Sequence, residues 1–293
     1  MVIGYVFALT AALLWGVSGT LAQYLFQHHE VTPEWLVTVR MLMASAVLLI
    51  FPLMQNSKAV FAPWKDKKDR VRIIAFGIFG MLTVQYTYFV TIKHSNAATA
   101  TILQYLGPVF IAIYYSFIEK RIPVVKEIIA IAFALLGTFL IVTHGSLETL
   151  SVTPQAFWWG IASAVALAVY SVLPINLMNR HNAAIVVGWG MLVGGISLSF
   201  IYTPWDVPGI WNGTAFIFTG AIVLFGTALP FYLYLRSVKM VGATTASLLA
   251  CIEPLSAAAV AVVWLKVSFG IFDWIGTVCI LITIGLLTKV EKS

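Results

Sequence analysis

The sequence predicts an all-α integral membrane protein of ten transmembrane helices, arranged as two inverted five-helix repeats. Three observations carry this. Of 293 residues, 61% are hydrophobic and 10% charged, at a mean hydropathy of +0.97, which is more apolar surface than a soluble domain of this length can hide. Residues 88–112 and 234–258, 146 positions apart, share Tyr88/Tyr234, Lys93/Lys239, Ala97/Ala243, Thr99/Thr245, Ala100/Ala246, Leu103/Leu249, Pro108/Pro254 and Ala112/Ala258, eight identities in twenty-five positions. Ten apolar stretches divide evenly between the two copies, and an odd number of spans in each forces the second copy in upside down, an architecture of alternating-access transporters.

Each stretch is long enough to cross a hydrocarbon core of ~30 Å at ~1.5 Å per residue. The first, 3–25, has no Lys or Arg before it and runs apolar for about twenty residues, so it is expected to stay as a helix and not to be cleaved as a signal peptide. It carries Trp15 and Ser18. The second, 34–54, holds Arg40 six residues in from one end, where snorkelling to the headgroups is expected in preference to an anion site. The third, 72–93, offers Gln85, Tyr86 and Tyr88. The fourth, 96–117, sets Thr101, Gln104, Tyr105 and Pro108 on one helical stripe near mid-depth. The fifth, 124–143, closes the first repeat, residues 1–145. A segment without Lys or Arg, Gly145 to Pro154, leads into the second repeat, 150–293.

The sixth span, 156–178, carries Tyr170. In the seventh, 183–202, Met191, Leu192 and Leu198 match Met41, Leu42 and Leu48 at a spacing of 150. Its Gly190-x-x-x-Gly194 spacing permits close helix approach, within the bundle or in a homodimer. The eighth, 214–235, and the tenth, 270–289, flank the ninth, 243–264, where Glu253 directly precedes Pro254.

Polar groups inside a membrane need pairing, packing or a wet cavity. An unpaired carboxylate at the depth of Glu253 costs ~2.5–3.5 kcal/mol on insertion scales. It is read either as a proton-coupling or amine-binding group, or as a neutral acid bonded to the gap that the proline leaves. Its repeat mate is Gly107, so the halves differ here. Gln104 is expected on a cavity, and Thr101 in packing or bonded to its own helix. Trp15, Ser18, Gln85, Tyr86, Tyr88 and Tyr170 suit either a substrate cavity or internally bonded helix packing. Trp35, Trp158, Trp159, Trp205, Trp211 and Trp264 lie near span ends and are expected as belt anchors. Cys251 and Cys279 sit in apolar runs without a redox or metal spacing and are read as packing residues.

Counting alternate loops places fourteen Lys and Arg on one side against Lys93 and Lys266 on the other, so both termini are expected in the cytoplasm. The net charge of +6 is used in orientation, and no nucleic-acid partner is expected. No H-E-x-x-H, G-x-S-x-G or Walker loop occurs, and no pair of intramembrane acids. An enzyme, a metal and a cofactor are therefore not expected.

Leu14-Trp15-Gly16, the run Asn96-Ala97-Ala98-Thr99-Ala100-Thr101 with Leu103-Gln104-Tyr105-Leu106-Gly107-Pro108, and the Glu253-Pro254 step together resemble the EamA branch of the drug/metabolite transporter superfamily. The likeness covers essentially the whole chain and is similar to bacterial carriers of carboxylates, amino acids and amines. It implies a plasma-membrane carrier, often an exporter, with a cavity formed by spans one, three, four, six, eight and nine. Glu119 fits the acidic step with which the family commonly ends span four, while Lys266 stands near the equivalent place in span nine.

The expected function is secondary transport of a small-molecule substrate, an amino acid, amine or similar metabolite, across the lipid bilayer, with Glu253 in proton coupling. The expected binding residues are Trp15, Ser18, Gln85, Tyr88, Gln104, Tyr105, Tyr170 and Glu253. The alternatives are efflux of lipophilic cations, or a non-transporting membrane assembly partner.

Overall fold

Single polar residues and prolines set where the helices begin. The Thr32 hydroxyl accepts from the Trp35 amide ahead of Pro33, and the Thr153 hydroxyl from Ala156 ahead of Pro154. Asp66, Asn182 and Asn212 cap three further helices in the same way. Each cap satisfies backbone donors that a helix start leaves open, and proline fits the first turn because it has no N–H to satisfy. The amides of Asp69 and Lys68 also hold the exposed Asp66 carboxyl below its ordinary pKa.

The computed structural model describes residues 2–95, 97–119, 124–143, 153–253, 256, 260 and 270–290. No strand occurs among them. The helices are α1 (Val2–His28), α2 (Pro33–Gln55), α3 (Lys67–His94), α4 (Ala97–Gln104), α5 (Gly107–Glu119), α6 (Val125–Thr143), α7 (Pro154–Arg180), α8 (Ala183–Ser199), α9 (Gly213–Val241), α10 (Ala243–Ile252) and α11 (Ile271–Val290). Two single-turn helices, Ser57–Val60 and Ala62–Lys65, link α2 to α3. By length and composition α1, α2, α3, α7 and α9 are each able to cross a membrane, and α6, α8, α10 and α11 contain shorter apolar stretches. Pro254, Trp264 and Lys266 lie outside the described residues.

Two helices expected to be continuous are interrupted. The fourth span divides into α4 and α5 at a turn over Tyr105 and Leu106. Pro108 has no N–H for the Gln104 carbonyl four residues earlier, so the α-helical ladder lacks a rung there. In α10 the last turn, Ala250–Ile252, tightens to a 3-10 helix just before Glu253 and Pro254. Adding the repeat offset of 146 to 105–106 gives 251–252, so both breaks stand at matching places. The same offset relates two wide π-helical turns, Phe76–Leu82 in α3 and Leu224–Ala228 in α9.

Helix pairing follows one scheme. α1 packs on α9 and α3 on α7, while α2 pairs with α8 and α6 with α11. Small residues bring α8 close to α2 and α3: a Cβ at Gly190 would lie 2.7 Å from Phe76, and one at Gly194 would overlap Met41. The Gly190-x-x-x-Gly194 pattern therefore serves packing within the bundle. Trp35 departs from the belt expectation, being buried against Trp211 with its indole N–H donating to the Pro204 carbonyl at 3.0 Å. Trp158 and Trp205 are exposed on the outside.

At one end of the bundle Asp69, fully buried, accepts from Arg180 at 2.8 Å and meets His181 Nε2 at 2.7 Å. This cluster ties the start of α3 to the end of α7. Toward the middle, Tyr170 stacks on Tyr234 at 5.5 Å and on Phe76 at 6.1 Å, with Trp15 and Phe231 edge-on to the group. These rings fill the space between α1, α3, α7 and α9 and form the floor of a cavity.

Candidate functional site

The broken helices converge on one cavity, whose empty space of about 590 Å³ includes open solvent. All eight residues singled out from the sequence line it. α1 contributes Trp15 and Ser18, α3 contributes Gln85 and Tyr88, and Gln104 and Tyr105 come from the α4 end and the turn after it. Tyr170 comes from α7, and Glu253 follows α10. Tyr86 points elsewhere, edge-on to Trp159.

Glu253 is buried between two tyrosines. The Tyr88 hydroxyl donates to its Oε1 at 3.3 Å, and the Tyr105 hydroxyl lies 3.5 Å from its Oε2. Tyr105 makes its shorter bond, 2.9 Å, to the Ala250 carbonyl. That carbonyl is four residues before Pro254, which has no N–H to return to it. The carbonyl is met by the Glu253 backbone N–H and by Tyr105 from the other repeat, and not by the Glu253 side chain. The acid borders the cavity with the two tyrosine hydroxyls beside it.

Tyr88 continues the network. Its hydroxyl is 3.0 Å from Thr101 Oγ1, which donates to the Ala97 carbonyl of its own helix at 2.7 Å. Gln104 borders the cavity while its Nε2 donates to Ser163 on α7 at 2.7 Å. In contrast Trp15 Nε1, Ser18 Oγ and both polar atoms of Gln85 have no hydrogen-bond partner among the described residues. Each buried unsatisfied group costs ~1–3 kcal/mol, a penalty that a polar ligand in the cavity removes.

Arg40 corrects the sequence reading. It does not snorkel to a headgroup layer; its side chain is buried and borders the cavity. Its Nε donates to Thr227 Oγ1 at 2.8 Å, its Nη2 to the Gly226 carbonyl at 3.0 Å, and the guanidinium lies 4.5 Å from the centre of the Phe89 ring. Gly226 sits in the wide turn of α9, four residues before Pro230, whose missing N–H leaves that carbonyl without its α-helical donor. The signal available in the sequence was the repeat itself. Arg40 stands against Gly190 at the spacing of 150, as Glu253 stands against Gly107 at 146.

The family model of EamA-like transporters matches residues 2–143 and again 155–289. The chain belongs to the EamA-like transporter family. This EamA-like transporter is 38% identical over 292 residues to the uncharacterised inner membrane transporter YicL of Salmonella typhimurium, covering 97% of this chain and 95% of that one. It is 25% identical over 300 residues to the uncharacterised transporter YyaM of Bacillus subtilis, with 97% and 92% covered. A solved crystal structure superposes with a TM-score of 0.80 over 99% of this chain and 97% of the other, at 19% identity, a likeness of fold. The protein is a multi-pass membrane transporter.

Proposed function

We propose that this EamA-like transporter is a secondary carrier that exports an amino acid, an amine or a similar small metabolite by alternating access, with Glu253 coupling the cycle to protons. The reading is carried by one observation: Glu253 lies at a helix break, in a cavity to which all eight expected residues contribute. Interrupted helices meeting at a midplane site are how transporters of inverted-repeat design present binding groups inside a bilayer. The scaffold is ten spans in two inverted repeats, 1–145 and 150–293, with both termini in the cytoplasm and the whole in the inner membrane. The two family matches on either side of the linker support the division. So does the pairing scheme, because exchanging the repeats turns α1 on α9 into α7 on α3 and returns α2 on α8 and α6 on α11 to themselves.

The hydroxyl chain gives Glu253 a way to register its proton. Thr101 uses its own hydrogen on Ala97, so Tyr88 has a choice of acceptor. With Glu253 ionised, Tyr88 donates to the carboxylate; with Glu253 protonated, the acid donates to Tyr88, which turns its hydrogen to Thr101. Loss or gain of one proton thereby reverses a bond between α3 and the α10 end.

Release of a mixed amino-acid and amine pool from proteoliposomes, read by mass spectrometry with and without a pH gradient, tests the reading. Selective, gradient-sensitive loss of one class is expected. Release only of lipophilic cations would replace it with a drug-efflux function, against which the buried cation at Arg40 already counts.

A further inference from the structure

Two charged side chains border the cavity, and both stand where the other repeat has a glycine with no room for them. A Cβ at Gly190 would lie 2.7 Å from Phe76, and one at Gly107 would lie 2.7 Å from Leu167. The inverted symmetry is broken at Arg40 and Glu253, and both breaks face the same space. Two protein groups hold Arg40 in place, and they account for Nε and Nη2 alone. Its Nη1 donates to nothing among the described residues, although the side chain is only 3% exposed. A guanidinium in so dry a place is costly without an anion to face.

Further unused donors gather beside it. Ser18 packs so closely on Gly226 that a Cβ there would overlap its hydroxyl, and Gly226 is the residue whose carbonyl Arg40 holds. Gln85 lies one helical turn before Phe89, whose ring carries the guanidinium. Neither Ser18 Oγ nor Gln85 Nε2 has a partner among the described residues. A fixed guanidinium with a free N–H edge, flanked by an unpaired hydroxyl and an unpaired amide, is a receptor for a carboxylate. The Glu253 carboxylate and the rings of Trp15 and Phe231, which border the same cavity, suit an ammonium group.

We propose that Arg40, with Ser18 and Gln85, seats the carboxylate of the transported molecule while Glu253 receives its ammonium group, so that the substrate class is the zwitterionic amino acids. This rests on the transport reading above and narrows it. A simple amine leaves the Arg40 edge unfilled, and a lipophilic cation meets a fixed like charge.

The test uses full-length protein in proteoliposomes and four matched pools as probes: the protein amino acids, their methyl esters, their decarboxylated amines and their N-acetyl derivatives. Counterflow of each pool is read by mass spectrometry. The free amino acids are expected to exchange at least about tenfold better than any matched derivative, the scale of a lost charge-assisted hydrogen bond. Arg40→Lys, which keeps the charge but not the planar edge, is expected to lose about 10- to 100-fold for the amino acids while the esters and amines stay within about twofold. Thr227→Val removes a brace of Arg40 and not the cation, and is expected to keep the preference for acid over ester. Should Arg40→Lys not fold, the ratio of acid to ester in the unaltered protein still decides. Esters or amines exchanging as well as the free acids would overturn the carboxylate seat and leave the broader transport reading standing. Exchange of N-acetyl acids alone would overturn the zwitterion and the role of Glu253 as amine receptor. Exchange of none of the pools would overturn both proposals.

Discussion

The Glu253 carboxylate borders the cavity between two tyrosine hydroxyls and leaves the capping of its helix to other groups. The Ala250 carbonyl, which Pro254 cannot reach with an N–H, accepts from the Glu253 amide and from the Tyr105 hydroxyl at 2.9 Å, so the carboxyl is not consumed in mending its own helix. If the acid couples protons, Glu253→Gln is expected to abolish the dependence of transport on a pH gradient while leaving exchange intact; unchanged gradient dependence in the same vesicles would remove the role. Gln104→Ala is expected to weaken apparent affinity by a few-fold, measured as the half-saturating substrate concentration, because Gln104 both borders the cavity and anchors Ser163. Every one of the eight expected residues reached the cavity for a common reason. Polar groups are scarce in lipid-facing sequence, and those at mid-depth have only the interior in which to be solvated. Arg40 escaped this logic because it lies near enough to a span end for snorkelling to be open to it.

At the scale of the element, proline and the wide helical turns create backbone acceptors in the interior. Pro230 frees the Gly226 carbonyl for Arg40, and Pro254 frees the Ala250 carbonyl for Tyr105, so each links a helix to a residue far away in the chain. Gly226 must stay small to hold this arrangement, since any side chain would overlap Ser18. Gly226→Val is therefore expected to destabilise the protein by ~1–3 kcal/mol, the usual cost of overpacking, seen as a lower melting temperature in detergent. In the sequence Pro254 reads as leaving a gap in its helix, whereas Pro108 reads as part of a continuous stripe and does not foretell the turn at Tyr105 and Leu106. The wide turns were not visible there either, because a π turn is stabilised by what packs against it and carries no residue signature of its own.

For the whole molecule, inversion makes a prediction about sides. Lys93 and Lys239 are repeat mates and both are exposed enough for labelling, so Lys93→Cys and Lys239→Cys are expected to react with a membrane-impermeant thiol reagent from opposite faces of the membrane. The native Cys251 and Cys279 are buried and leave a clean background. Labelling of both from one side would end the inverted arrangement. The cluster of Asp69 with Arg180 and His181 closes the bundle at the end where α3 begins. Asp69→Asn is expected to loosen that closure and raise the labelling of a cysteine placed at Gln104 from that side.

The sequence alone determined the membrane class, the duplication and the family, because each depends on local hydrophobicity or on a repeat that survives as identical residues at a fixed spacing. It also picked out the polar residues that a membrane protein has to gather inside. Only the tertiary structure decided how those residues share their bonds. Whether Arg40 turned inward depended on a carbonyl 186 residues away, and what Glu253 meets depended on tyrosine hydroxyls 165 and 148 residues away. Such long-range pairings are set by which helices pack together, and a single chain read along its length carries no record of them.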